Sequence, residues 1–476
     1  MRSALILVGA CATVCVACAA QPGEGESGTG GAMAAGGSAG PNGAGGTASG
    51  GSTGAGGLQA TGGITGGGGG AAGRLGAGGM ITTGTGGSTT GAGGSTTGMG
   101  GSNLTCAPFT LPAYSGLTVN AKFPDPFKNI DGTRIARKDQ WPCRRAEIAA
   151  QGQQYELGAK PGKPATVTGA MSGTGITVTV SDAGKSISFT ASISTPAGTG
   201  PFPALIAIGG SSLSSVAGLG VASVNFPNDD LAAQVNGGSR GMGKFYTLYG
   251  SNHSAGAMMA WAWGVSRLID ALEQTPGSKI DTKRLAVTGC SRNGKGALIA
   301  GAFDERIALT IPQESGSGGA ASWRVSDAQQ RAGANIQTLG EITGENVWFA
   351  SSFSQFNSTA TRLPFDHHMI EGLVAPRALF VIENDIDWLG PVSTFQNSMG
   401  AHTVWEALGV PDAMGYSEVG NHAHCSFPAS QTADLQAFVK KFLVGNGTDS
   451  TAVLKNDHGY TFDKPTWVDW TVPALQ

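Results

Sequence analysis

Apolar positions follow clear periods only after about residue 104; between the first twenty residues and that point large apolar side chains are almost absent. Ile176, Val178 and Val180 alternate with polar neighbours, as do Ile187, Phe189, Ala191 and Ile193. Such alternation predicts two half-buried strands of an antiparallel meander. Residues 203–208 (PALIAI) are instead an unbroken apolar run ending at Gly209 and Gly210, as expected of a strand covered on both faces. Residues 255–272 (AGAMMAWAWGVSRLIDAL) have helical length and composition, with Ser254 as candidate N-cap and a stop at Pro276-Gly277. Short apolar runs at 285–287, 307–312 and 378–382 predict further strands, and 435–444 predicts a closing amphipathic helix. Strands alternating with helices in this way point to an α/β fold: a mostly parallel central sheet with helices on both faces, a three-layer sandwich.

Composition changes the picture at the N-terminus. The 476 residues include 79 glycines, crowded between about Gly23 and Gly101. Residues 21–103 are Gly, Ser, Thr and Ala with too little apolar surface to offset chain entropy, and are expected to form a disordered tether. Residues 1–20 have a positive start at Arg2, an apolar stretch and small residues at the end, the pattern of an export signal. Cys18 is the candidate for lipid anchoring, although Cys15 stands where a lipobox has leucine. A secreted or surface-tethered protein is expected, with residues 104–476 as its folded domain, large enough for a sizeable core. The net charge of −3, without a basic cluster, gives no reason to expect nucleic acid, and no later segment is apolar for long enough to span a bilayer. Of the seven cysteines, Cys106, Cys143, Cys290 and Cys425 lie beyond the signal; they allow three pairings, left open by sequence. Cys106 and Cys143 bracket a Pro- and aromatic-rich wrapping segment and are a natural pair.

The chemistry concentrates at 288–296, Thr-Gly-Cys-Ser-Arg-Asn-Gly-Lys-Gly, between the apolar run 285–287 and a helix-forming stretch. A serine at a strand-to-helix turn flanked by glycines is the geometry of a nucleophile elbow in an α/β-hydrolase, although the spacing here is G-x-S-x-x-G rather than G-x-S-x-G. Such a fold places acid and base downstream, in that order. His424 is the candidate base. It lies in a loop before the last helix, and a Cys290–Cys425 bond would set it beside Ser291. His422, two residues earlier, would face the other way in an extended segment; His367 and His368 lack ligand spacing, so no metal is expected there. For the acid, both Glu314 and Asp385 follow predicted strands, with Glu383 and Asp387 nearby, and position alone favours Asp385. The loop at Gly209-Gly210 is a candidate second oxyanion donor.

These residues resemble the glucuronoyl esterases, carbohydrate esterase family 15. The likeness rests on GCSRNGKG at 289–296, PQESGSGG at 312–319, PFDHH at 364–368, APR at 375–377, ENDIDWLGP at 383–391 and HCSFP at 424–428. It covers most of the chain from Cys106 onward and not the glycine-rich part. The resemblance implies Ser291 as nucleophile, His424 as base and Glu314 as acid, overruling Asp385, which stays in reserve because some bacterial members carry a second acid there. It implies Arg292 at the oxyanion, Lys295, Gln337, Glu345 and Trp388 on the sugar, and disulfides Cys290–Cys425 and Cys106–Cys143. A third disulfide of fungal members has no cysteines here.

The expected activity is hydrolysis of esters between 4-O-methyl-glucuronic acid of glucuronoxylan and lignin alcohols, by a monomer with no cofactor and no metal. The competing expectations are another carbohydrate carboxylesterase, such as one acting on acetyl xylan, and a non-catalytic tethered polysaccharide-binding protein.

Overall fold

The structure, a computed structural model, describes Cys106–Gln476 and the short strand Thr90–Gly91, which pairs antiparallel with Phe109–Thr110. The expected export signal, Cys18 and the remainder of the expected tether lie outside the described residues.

Ten strands form one sheet: β1 Thr166–Ser172, β2 Gly175–Asp182, β3 Lys185–Ser194, β4 Phe202–Ile208, β5 Ala222–Phe226, β6 Ile280–Cys290, β7 Ile307–Gln313, β8 Ala378–Glu383, β9 Met414–Glu418 and β10 Leu454–Asn456. Their order across the sheet is β10-β9-β8-β7-β6-β4-β5-β3-β2-β1. The meander β1 to β3 is antiparallel and joins β5 antiparallel, whereas β4 to β10 are all parallel. The period-2 reading of the meander holds residue by residue. Ile176, Val178 and Val180 pair with Ala191, Phe189 and Ile187, and all six are buried.

The central strands are apolar on both sides because both faces are covered. Leu205, Ala286, Leu309, Ile311, Phe380 and Ile382 pack with Leu435 and Phe438 on one face. Their neighbours Ile206, Ile208 and Val287 face Trp261, Leu298 and Val404 on the other. The helices concerned are α1 Trp141–Gly152, α2 Ala257–Glu273, α3 Arg292–Phe303, α4 Trp323–Arg331, α5 Leu339–Glu345, α6 His367–Gly372, α7 Pro391–Leu408 and α8 Thr432–Phe438, which runs on as a wider turn through Val444. The α/β-hydrolase architecture expected from the sequence is therefore present, with β6, β7 and β8 ending side by side.

One cap differs from expectation. The helix α2 begins after Gly256, not Ser254, and has no side-chain cap. Its first N–H groups are satisfied from elsewhere in the fold: Ala257 and Met258 donate to the carbonyls of Val347 and Trp348. A tertiary backbone partner serves the orphan donors as well as a serine would. Ser254 Oγ instead accepts the N–H of Ala159. Among the described residues no helix is long and apolar enough to cross a membrane.

Candidate active site

The site is built at the turn between β6 and α3. Ser291 holds φ 58° and ψ −128°, a conformation unfavourable for a residue with a side chain. Two backbone bonds fix it: its N–H donates to Gln313 O on β7 at 2.9 Å, and its carbonyl accepts the Lys295 N–H at 3.0 Å. The unusual glycine spacing has a packing cause. A Cβ on Gly289 would stand 2.4 Å from Asn293 O, and one on Gly294 would stand 2.6 Å from Gln313 O. The second glycine is needed where α3 grazes β7, so its place is set by the neighbouring strand. The free N–H groups of the first turn of α3 lie next to the serine, where negative charge would develop during attack on a carbonyl.

The candidate base and the candidate acid come from two loops. His424 Nδ1 lies 2.8 Å from Glu314 Oε2, which also accepts the Cys425 N–H at 2.7 Å and Asn384 Nδ2 at 3.3 Å. Gln313 Nε2 donates to Glu314 Oε1 at 3.0 Å. Burial alone would raise this fully buried carboxyl, but the bonds from His424, Cys425 and Gln313 win and hold it below the usual carboxylate range. The backbone of Glu314 is also left-handed, at φ 45°, and its N–H is anchored to Ile382 O on β8 at 2.7 Å. With Nδ1 committed to the acid, the opposite ring nitrogen is fixed in direction. Nε2 is buried, has no hydrogen-bond partner among the described residues, and belongs to a ring that lines the same cavity as Ser291.

The disulfides are Cys290–Cys425 and Cys106–Cys143. The first joins the residue before Ser291 to the residue after His424, across 135 positions of sequence, with Cα atoms 5.7 Å apart. Sγ atoms of these cysteines, Glu314 and His424 offer donor atoms within 4.8 Å of one another. The sulfurs are bonded to each other and the carboxylate is bonded to the ring, so the cluster is already internally satisfied.

The cavity above Ser291 has a volume of about 270 Å³ and is lined by Ser291, Arg292, Lys295, Gln337, Glu345, Trp348, Trp388 and His424. Lys295 is buried, and its ammonium donates to Ser315 O at 2.6 Å. Burial pulls it down to about 8, against the opposing charges of Glu345 and Glu383. Gln337 Nε2 donates to Glu345 Oε2 at 3.0 Å, and the Trp388 ring stands edge-on to His424 at 5.0 Å between centroids. A cation, a carboxylate, an amide and an indole ring are groups suited to a hydroxylated ring.

Every residue expected on the sugar side is thus brought to one cavity with Ser291, Arg292 and His424. Asp385 is not. It accepts the Asn421 N–H at 3.1 Å and lies 4.0 Å from His458, so the preference for it from position alone is corrected. His422 is turned to Asn384 and the Ala423 carbonyl. His367 pairs with Glu156 at 2.8 Å and also contacts Gly319 O, while His368 bonds Pro124 O and stacks on Phe123, both in the core. The Gly209-Gly210 loop is absent from the cavity lining; Gly209 packs against Asn293 on α3. Sequence reasoning missed Trp348. The Arg292 guanidinium and the Lys295 ammonium lie 5.5 and 5.7 Å from its ring centroid, and its Nε1 donates to Gln234 Oε1 at 2.8 Å. No local signal marks it, because these partners all precede it by more than fifty residues.

Comparison with known proteins agrees with this geometry. A family model described as glucuronyl esterase of fungi matches residues 178–409. A 4-O-methyl-glucuronoyl methylesterase from Hypocrea jecorina is 55% identical over 372 residues, 78% of this chain and 79% of that protein. One from Thermothelomyces thermophilus is 56% identical over 336 residues, 70% of this chain and 84% of that protein. Among solved structures, the glucuronoyl esterase catalytic domain from Hypocrea jecorina superposes with a TM-score of 0.75, covering 77% of this chain and all (100%) of that one at 55% identity. A mutant of the Sporotrichum thermophile glucuronoyl esterase in complex with methyl 4-O-methyl-β-D-glucopyranuronate gives 0.73 at 52% identity, covering 76% of this chain and 97% of that one.

Proposed function

The chain belongs to the glucuronoyl esterase family of carboxylic ester hydrolases, and from that premise we propose that it cleaves the ester between 4-O-methyl-D-glucuronic acid of glucuronoxylan and an alcohol of lignin, using Ser291, His424 and Glu314. The observation that carries this reading is the Glu314–His424 pair, whose unbonded Nε2 shares a cavity with Ser291 and the four polar or aromatic groups suited to a uronosyl ring.

In the proposed cycle His424 Nε2 takes the Ser291 proton as Oγ attacks the uronate carbonyl. Arg292 and the N–H groups opening α3 stabilise the tetrahedral oxyanion, typically by about 3 kcal/mol per donor. The bond to the alcohol breaks, and the alcohol departs with the proton from His424. Water, deprotonated by the same ring, then frees glucuronic acid from the serine. The disulfides favour an oxidising compartment, which supports export and display on the glycine-rich tether, by lipid at Cys18 or by free secretion.

The test is a substrate panel. Benzyl D-glucuronate should be hydrolysed about a hundredfold faster, in kcat/KM, than the methyl ester of the C4 epimer galacturonate, because a misplaced hydroxyl leaves buried polar groups unpaired. Acetylated xylan should release no acetate. Acetate release at a matching rate would assign the cavity to a different ester, and retention on xylan without any cleavage would make the protein a binder.

The same site has a pH signature. Lys295 is charged below about 8 and neutral above it. If its ammonium binds the uronosyl ring, kcat/KM for benzyl glucuronate should fall about tenfold per unit once pH passes that value. A flat alkaline profile to pH 9.5 or so would remove Lys295 from binding.

A further inference from the structure

Behind the cavity wall lies a carboxyl that the proposed cycle does not use. Glu383 ends β8 and is fully buried. Its Oε1 accepts the Ser315 N–H at 3.1 Å. Ser315 is the residue after Glu314, and its carbonyl is the acceptor for the Lys295 ammonium. One residue therefore faces Glu383 with its N–H, Lys295 with its C=O, and is bonded through its own N to the acid that holds His424. The Glu383 backbone reaches the third arm: its carbonyl accepts the Val419 N–H at 3.2 Å, at the start of the loop that carries His424.

We propose that Glu383 is a positioning residue for the ester-hydrolysing site, fixing the Ser315 peptide so that Lys295 and Glu314 are held at once. The inference rests on the reading of the site given above. A carboxyl is suited to this place because the Ser315 peptide is buried and would otherwise leave an N–H without a partner. The charged groups around Glu383 are Glu314 and Lys295 on the cavity side, and Glu371 and Tyr416 on the core side. Burial, and then the nearby negative charge of Glu314, push the Glu383 carboxyl up to about 8, so the neutral acid prevails at neutral pH. Its second oxygen, the Glu371 Oε2 and the Tyr416 hydroxyl are all buried without a hydrogen-bond partner among the described residues. An amide at this position can therefore keep the acceptor toward Ser315 and still turn its NH₂ toward acceptors in the core.

The experiment is a double-mutant cycle on the full chain with benzyl glucuronate, combining Glu383→Ala with Lys295→Ala. Glu383→Ala should raise KM about tenfold and lower kcat about tenfold, since it frees both arms. In the Lys295→Ala background it should change KM less than about twofold, because the arm it positions is already gone. Glu383→Gln should restore most of the loss. If the alanine variant does not fold, Glu383→Asp, whose shorter arm falls short of the Ser315 N–H, takes its place in the same cycle with the same expectation. Additive KM effects, an unchanged KM with only a lowered melting temperature, or a glutamine variant as damaged as the alanine one would each overturn the proposal. Failure of Lys295→Ala alone to raise KM would strike the reading of the cavity instead, which keeps the two failures apart.

Discussion

Ser291→Ala should abolish turnover of benzyl glucuronate, with kcat reduced by about 10⁶-fold, while the folded protein still binds 4-O-methyl-glucuronic acid within about threefold of the parent affinity. The magnitude follows from what the substitution removes. The only group lost is the Oγ that forms the covalent bond; the N–H to Gln313 and the carbonyl to Lys295 belong to the backbone and survive in alanine. The cavity groups proposed to hold the sugar, Lys295, Gln337, Glu345 and Trp388, are untouched. A residual rate about 10³-fold above water is expected from the oxyanion donors and from positioning alone. Calorimetry with the uronic acid separates lost chemistry from lost binding. Turnover within tenfold of the parent would mean that another nucleophile does the work, and the assignment of the elbow would fall.

The serine was legible in the sequence because a nucleophile elbow has a local cause: a buried strand, a turn that only small residues tolerate, and a helix. Even the departure from the usual glycine spacing has a local address, although its reason, the approach of α3 to Gln313 on β7, is tertiary. His424 was legible through the cysteines beside both partners. Position does not choose between the candidate acids, because two strand ends compete and which carboxylate meets His424 is decided by backbone geometry that no residue pattern announces. Glu314 turns through a left-handed backbone conformation, tied to Ile382 on the next strand, and this aims its carboxylate at the ring. Trp348 was invisible for a similar reason: its orientation depends on Gln234, and its neighbours Arg292 and Lys295 lie on the elbow helix. The strand β9 escaped notice because it buries Ser417 and Glu418. Their polar groups are satisfied by Gln431 and His458, so the segment does not read as apolar although it is wholly inside.

The pair Glu314→Gln and Asp385→Asn separates the two carboxylates that sequence position confused. Glu314→Gln should lower kcat for benzyl glucuronate by about 10⁴-fold, whereas Asp385→Asn should stay within about twofold. Glu314 Oε2 gathers His424 Nδ1, the Cys425 N–H and Asn384 Nδ2, all of them donors when the ring carries its Nδ1 proton. An amide can present its oxygen to these donors, but it carries no charge to stabilise the imidazolium formed when Nε2 takes the serine proton. If it presents its NH₂ instead, the ring must move its proton to Nε2, and the base is lost. The stability effect has a definite sign. Because its hydrogen bonds depress the Glu314 carboxyl below its unfolded value, the carboxylate stabilises the fold above the ordinary carboxylate range, and that contribution is lost as pH falls through the folded value. Glu314→Gln should therefore flatten the acid side of the melting-temperature profile as well as silence the enzyme. Asp385 instead meets the Asn421 N–H and His458, whereas the His424 ring is held by Glu314. The kinetics of the double variant complete the argument: it should match Glu314→Gln alone, and a further hundredfold loss would show that Asp385 can move in to replace the missing charge.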